Sequence, residues 1–327
     1  MTSAAAPRDD APGRSCPLHY RYAPEVFARP ADVPPLDVLY VVGGLYGNEL
    51  ALERVLELFA AERGRARLVF NGDFHWFDAD PEIFARVQRQ VLAHTALRGN
   101  VETELAAEPP AGNDDAGCGC AYPEWVGDAV VERSNRILRR LRKATTPAQR
   151  AELAALPMTL RADVGEFKLG IVHGDAQSLA GWGFAQEHLS DQAHRDTVRG
   201  WFAQAQVDAF ACTHTCLPVF QRLRGACDAS ARWVFNNGAA GMPNFSGDAA
   251  GLLTRVALHP FDGPQRRFGV RQGEVFIDAV AIEVDTVQMQ ARFLRQWADG
   301  SDAHASYFHR IAHGPAYHVD EAIRLEE

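Results

Sequence analysis

An α/β domain is the fold class this sequence predicts, and three observations carry it. Short apolar runs read as buried strands. Between them, apolar residues recur at helical spacing. Most strand-like runs also lead straight into a short polar cluster: Gly72-Asp73, Gly99-Asn100, His173-Gly174, Thr213-His214-Thr215-Cys216 and Asn236-Asn237-Gly238. Polar loops at strand ends are where α/β scaffolds place their sites.

Residues 1–35 form a Pro-rich leader whose first part is expected to be disordered, while Tyr20, Tyr22, Val26 and Phe27 predict that its second half packs onto a core. Residues 36–327 read as one domain. The run Leu36 to Val42 is a buried strand ending in Gly43-Gly44, after which Leu50, Leu52, Val55, Leu56 and Phe59 predict a helix. A second unit follows, with strand Arg67 to Phe70, loop Gly72-Asp73 and a helix starting at Pro81 that turns Ile83, Phe84, Val87 and Val91 inward. Residues 104–160 read as an insertion, with a stretch rich in Pro, Gly, Asn, Asp and Cys before an amphipathic helix from about Glu124 to Lys143. Further strands are predicted at Leu169 to Val172, Ala209 to Cys212, Arg232 to Phe235, Leu253 to Leu258 and Phe276 to Val284, with a short helix around Ala303 to Ala312.

Composition bounds the function. The chain has 327 residues, 47% hydrophobic and 23% charged, so a sizeable core can be buried without disulfides or a partner chain. Its 33 Lys+Arg against 42 Asp+Glu give a net charge of −9, and the basic residues are dispersed except around Arg139, Arg140, Arg142 and Lys143. That run ends a predicted helix, where cations complement the macrodipole, so no nucleic-acid footprint is expected. No apolar stretch approaches transmembrane length. Residues 1–14 carry nothing like the apolar core of a secretory signal, and the six cysteines read as reduced thiols or ligands, which predicts a cytoplasmic protein.

A hard or borderline divalent cation prefers carboxylate, amide-oxygen and imidazole ligands, and Asp73, Asn100, His173 and His214 supply that set. The clusters, taken in order, resemble the calcineurin-like metallophosphoesterase superfamily, whose pattern runs D-x-H, G-D, G-N-H-(D/E), G-H and G-H-x-H. Asp80-Pro81 and the loop Asn236 to Pro243 resemble family segments in the same register. The resemblance spans roughly Leu36 to Val284. It implies two central mixed β-sheets flanked by helices. It also implies a divalent metal (manganese, iron or zinc) held by Asp73, Asn100, His173 and His214, with Cys216 as a further candidate ligand. Metal-dependent hydrolysis of a phosphomono- or phosphodiester on a small phosphorylated substrate would follow, with Asp73, Asn100 and His214 as the catalytic set.

The sequence departs from the family at defined places. D-x-H falls on Gly44-Leu45-Tyr46, the His after Asn100 is Val101, and Cys216 replaces the second imidazole of the last motif, while Glu102 keeps the acidic residue. One reading rebuilds the depleted half from His75 and from Cys118 and Cys120 near Cys216, which would favour zinc or iron. Cys216 can equally be a small packed hydrophobe, and Cys118-Gly119-Cys120 a redox pair or a plain loop. Cys16, Cys212 and Cys227 read as structural. Tyr46 is expected to pack or to bond a phosphate-like group, with Gly43, Gly44 and Gly47 allowing close backbone approach to an anion. Trp182 and Phe184 read as a lid or core feature. Asp175 is expected to orient a ligand histidine or to sit in solvent. Two alternatives to hydrolysis follow: a non-catalytic relative that binds a phosphorylated ligand or partner, and a remodelled metal centre with other chemistry.

Overall fold

The structure is a computed structural model that describes residues 12–14, 17–107, 117–225 and 230–325. The expected disorder at the start of the leader and the roles of Cys16 and Cys227 fall outside the described residues. In chain order the elements begin with β1 (Val38–Val42), α1 (Glu49–Ala60), β2 (Ala66–Asn71), α2 (Pro81–Val91), β3 (Thr95–Leu97), α3 (Asn100–Ala106), α4 (Asp128–Ala144) and α5 (Pro147–Ala154). They continue with β4 (Thr159–Val164), β5 (Phe167–Val172), α6 (Gln186–Leu189), α7 (Gln192–Ala205), β6 (Ala209–Cys212), β7 (Pro218–Arg224) and β8 (Ala231–Asn237). The last are β9 (Gly251–Ala257), β10 (Arg266–Gln272), β11 (Val275–Ile282), α8 (Thr286–Gln296), α9 (His309–His313), α10 (Val319–Ala322) and β12 (Ile323–Arg324).

Two six-stranded mixed sheets form the centre, ordered β10-β11-β9-β1-β2-β3 and β12-β7-β8-β6-β5-β4. Alternation along β1 explains the layering. Val38, Tyr40 and Val42 pack with Leu52, Val55, Phe84 and Val87 of the helices on one side. Leu39 and Val41 join Ile171, Ala211 and Phe235 between the sheets. On the far face of the second sheet, Val198 and Phe202 of α7 pack on Val172 and Phe210 together with Phe27. Leu39 is fully buried, so its truncation to alanine should cost about 2–5 kcal/mol. Each sheet is covered by helices on its outer face, because each strand has two apolar faces to bury.

In the first sheet β1, β2 and β3 run parallel, and in the second β5, β6 and β8 do. Their C-terminal ends deliver the polar clusters to the same edge. Local signals set the helix starts: Asp80 accepts from the Glu82 and Ile83 N–H groups with Pro81 next, and Asn48 caps α1 through Ala51 N–H. Helix α4 begins at Asp128 rather than near Glu124, because Gly127 is its extended N-cap and a turn precedes it. Its basic end is spent locally: Arg140 lies 4.3 Å over the Trp297 ring, and Arg142 donates to the Glu104 carbonyl at 2.7 Å.

Candidate metal centre

Close contact between loops builds the site. Gly72 has φ +77°, and a Cβ there would lie 2.5 Å from the Gly99 nitrogen and 2.7 Å from His173 Nδ1. Only glycine lets the loop after β2 touch both the β3 loop and the β5 histidine. Asn71 ties the two sheets there, donating from Nδ2 to the Val172 carbonyl at 2.6 Å. The next residue, Asp73, has φ +51°, and Tyr46 (φ +55°) and Cys216 (φ +61°) share this left-handed conformation. Such positions cost about 1–3 kcal/mol each and gather where a site dictates geometry. All three line one cavity.

The donor atoms of Asp73, His173 and His214 lie within 4.8 Å of one another, and all three residues are buried. Asn100 joins them, with Oδ1 3.1 Å from His173 Nε2. Backbone carbonyls fix which ring atoms point inward. His173 Nδ1 lies 2.9 Å from the Asn71 carbonyl and His214 Nε2 lies 3.1 Å from the Cys120 carbonyl. A carbonyl only accepts, so those nitrogens carry the protons. That leaves His173 Nε2 and His214 Nδ1 as bare lone pairs 3.2 Å apart, with Asp73 Oδ2 3.4 Å from the former. Asn100 Nδ2 donates to the Cys118 carbonyl at 2.8 Å, which turns its oxygen inward too. Four acceptors thus converge on one point, an arrangement a cation resolves.

Titration follows the same geometry. Burial works to raise Asp73, but His173, His214 and the Val101 N–H bring its carboxyl below the ordinary range. Burial opposes charge on His173, yet Asp73 and the Asn71 carbonyl lift it above the usual histidine value. Burial and the neighbouring His173 push His214 down to about 4. The donor set, carboxylate, amide oxygen and two imidazoles, fits a divalent metal of the manganese, iron or zinc kind.

Glu102 is fully buried behind this cluster and accepts from three backbone N–H groups: Asp73 at 2.8 Å, Gly99 at 2.9 Å and His75 at 3.2 Å. It clamps the strained Asp73 loop to the Asn100 loop. Burial, then Asp73, push its carboxyl up to about 7.

Other expected site residues stand elsewhere. His75 is not among the clustered donors: its Nδ1 meets Asp78 Oδ2 at 2.5 Å, and its ring stacks on Phe84 at 3.6 Å. Cys216 is outside the donor cluster as well, because its Sγ is 2.8 Å from the Tyr46 hydroxyl and 3.3 Å from the His214 carbonyl. Cys118 and Cys120 are not among the clustered donors, although Cys120 Sγ lies 3.4 Å from Asn100 Nδ2. Their carbonyls hold Asn100 and His214, and burial pushes both Cys120 and Cys216 up, which disfavours the thiolate. Tyr46 therefore meets a thiol, and the Gly43–Gly47 loop offers no free anion nest: the N–H groups of Gly44, Tyr46 and Gly47 donate to the Gly72, Asp73 and Phe74 carbonyls. Asp175 orients no ligand histidine and is buried; it accepts from the Gln177, Ser178 and Gly183 N–H groups and shapes its own loop. Asn236 and Asn237 brace strand ends, through Thr215 Oγ1 and the Gly43 carbonyl respectively.

The cluster opens into a cavity of about 230 Å³ lined by Asp73, Asn100 and His214 together with Trp76, Tyr122, Trp182 and Tyr307. Trp182 lines this cavity, donating from Nε1 to the Cys120 carbonyl at 2.8 Å, whereas Phe184 is core, packed on Trp201 and Phe210. Trp76, Tyr122 and Tyr307 carried no motif. Trp76 and Tyr122 are signalled only by standing close to Gly72-Asp73 and to Cys120, and Tyr307 has no such signal.

No protein-family model matches the chain, and no curated protein matches it significantly. Solved structures do. A hypothetical protein from Pyrococcus horikoshii superposes with a TM-score of 0.55 at 15% identity, covering 85% of this chain and 99% of its own. A metallophosphoesterase from Sphaerobacter thermophilus superposes with a TM-score of 0.53 at 16% identity, covering 85% and 99%. At such identities the likeness establishes the fold alone, two mixed sheets flanked by helices as in that metallophosphoesterase structure.

Proposed function

We propose that this chain is a metal-dependent phosphoric ester hydrolase, with one divalent cation seated between Asp73, Asn100, His173 and His214. The observation that carries the reading is the convergence of four acceptor groups: the Asp73 carboxylate, and Asn100, His173 and His214, whose N–H groups are committed to backbone carbonyls. A cation held there would polarise a phosphoryl oxygen and lower the pKa of a bound water. Asp73, Asn100 and His214 also line the cavity and so reach both ion and ester. Val101 lines the cavity beside Asn100 and has no proton to give a leaving group, so esters with acidic leaving groups should react fastest. Among the described residues no helix is long and apolar enough to cross a membrane, and a cytoplasmic location is part of this reading.

The test is metal analysis of the purified chain combined with nitrophenol release from mono- and bis-nitrophenyl phosphate with added manganese. Activity abolished by Asp73→Ala and by His214→Ala supports a hydrolase. A stoichiometric metal without turnover of any ester would instead favour a protein that only binds a phosphorylated ligand, a role consistent with the closed Tyr46–Cys216 side.

A further inference from the structure

The cavity walls carry information about the substrate beyond its phosphorus. Trp182 stands edge-on to His214, with centroids 5.6 Å apart, and Tyr122 lies 6.0 Å from Trp182. Trp76 and Tyr307 form a second edge-on pair at 6.4 Å in the same lining, next to Tyr122. Val126 and Val130 complete an apolar rim. Four aromatic rings in one cavity lining offer apolar faces and edges to a flat apolar group.

Charge is as informative as shape. Among the described residues lining the cavity there is no Lys or Arg, and Asp73 is the only carboxylate. The nearby Arg310 is committed to carbonyls, donating to Pro243 at 2.9 Å and Cys216 at 2.8 Å. Arg133 donates to Ser306 Oγ at 2.7 Å. With a divalent cation on Asp73, the lining would carry at most a single net positive charge, which Glu102 behind Asp73 can only lower. A phosphodiester brings one negative charge and neutralises it. A phosphomonoester, close to a dianion at neutral pH, leaves an excess, and a polyphosphate leaves more, with no guanidinium or ammonium to pair it. The cavity of about 230 Å³ is below the roughly 300–1,000 Å³ usual for a drug-sized ligand, which suits one ring rather than a nucleotide.

We propose that the site takes a phosphodiester bearing at least one small aromatic ester group, in preference to phosphomonoesters and polyphosphates; the inference rests on the hydrolase reading for its chemistry and on the cavity walls for its selectivity. The experiment uses the manganese-loaded full chain in two arms. Turnover is compared on bis-nitrophenyl phosphate, nitrophenyl phosphate and inorganic pyrophosphate. Binding is measured by calorimetry with phenyl phenylphosphonate, a singly charged and slowly hydrolysed analogue, against phenylphosphonate and pyrophosphate.

The diester is expected to exceed the monoester in kcat/KM, and phenyl phenylphosphonate to bind most tightly. Trp182→Ala should weaken that binding about tenfold and Trp182→Phe restore it, as loss of one stacking face predicts. Val130→Arg should shift preference toward phenylphosphonate. A preference for monoester or pyrophosphate, or an unchanged Kd in folded Trp182→Ala, overturns the inference while leaving the hydrolase reading intact. Selective binding without turnover of any ester overturns the hydrolase reading and leaves the selectivity standing. Neither binding nor turnover removes both.

Discussion

Two sides of the cavity floor are built from similar strand-end loops and end in opposite states. On the side of β2, β3, β5 and β6, Asp73, Asn100, His173 and His214 turn acceptor atoms toward one another, and the N–H groups of Asn100, His173 and His214 are used elsewhere. On the side of β1, the Tyr46 ring folds over Gly44, where an added Cβ would lie 2.9 Å from Tyr46 Cζ. The Tyr46 hydroxyl meets Cys216 at 2.8 Å, and Arg310 donates to the Cys216 carbonyl. This second side satisfies itself with its own donors and acceptors, whereas the first gathers acceptors that a cation would satisfy. The contrast is of hydrogen-bond bookkeeping, and it predicts a single ion, on the first side.

The largest effect that can break this contrast is at the acceptor side. His214→Ala should remove bound metal, measured by elemental analysis, and lower ester hydrolysis by about 10³-fold, the scale on which a preorganised electrostatic group acts. Next comes the stability linked to the ion. Manganese at about a hundred times its Kd should stabilise the native protein by about 2.7 kcal/mol in denaturant melts, and His214→Ala should show no such gain. Glu102→Gln comes third: an amide cannot accept from three N–H groups without placing its own NH₂ against a donor. Metal affinity should fall about 10–100-fold in calorimetry, as for other groups that orient ligands. The smallest effect sharpens the other side. Tyr46→Phe should lower stability by about 1 kcal/mol in a denaturant melt, the loss of one hydrogen bond, with metal stoichiometry unchanged. A large drop in metal content there would mean that the two sides are not independent.

Much of the framework was legible from local pattern. The start of α2 was marked by Asp80-Pro81, and β6 fell on its expected residues because a buried strand needs an unbroken apolar run. Strand β10, Arg266–Gln272, was not anticipated, since it is an edge strand whose polar residues face solvent and whose pairing with β11 is a non-local fact. Helices α7 and α8 also went without an expectation. Their apolar faces are short and interrupted by polar residues, and they are anchored by Asp191 and Asp285 caps that resemble ordinary turn residues.

What the chain determines by itself is which loops carry Asp73, Asn100, His173 and His214, because residue type and strand-end position are local properties. Tertiary structure alone decided that Cys216 pairs with Tyr46 instead of joining those ligands, that Cys118 and Cys120 contribute carbonyls, and that Trp76, Tyr122, Trp182 and Tyr307 wall one space. The physical reason is that a side chain's partner depends on which distant groups remain unsatisfied when the sheets close, and no local pattern records that.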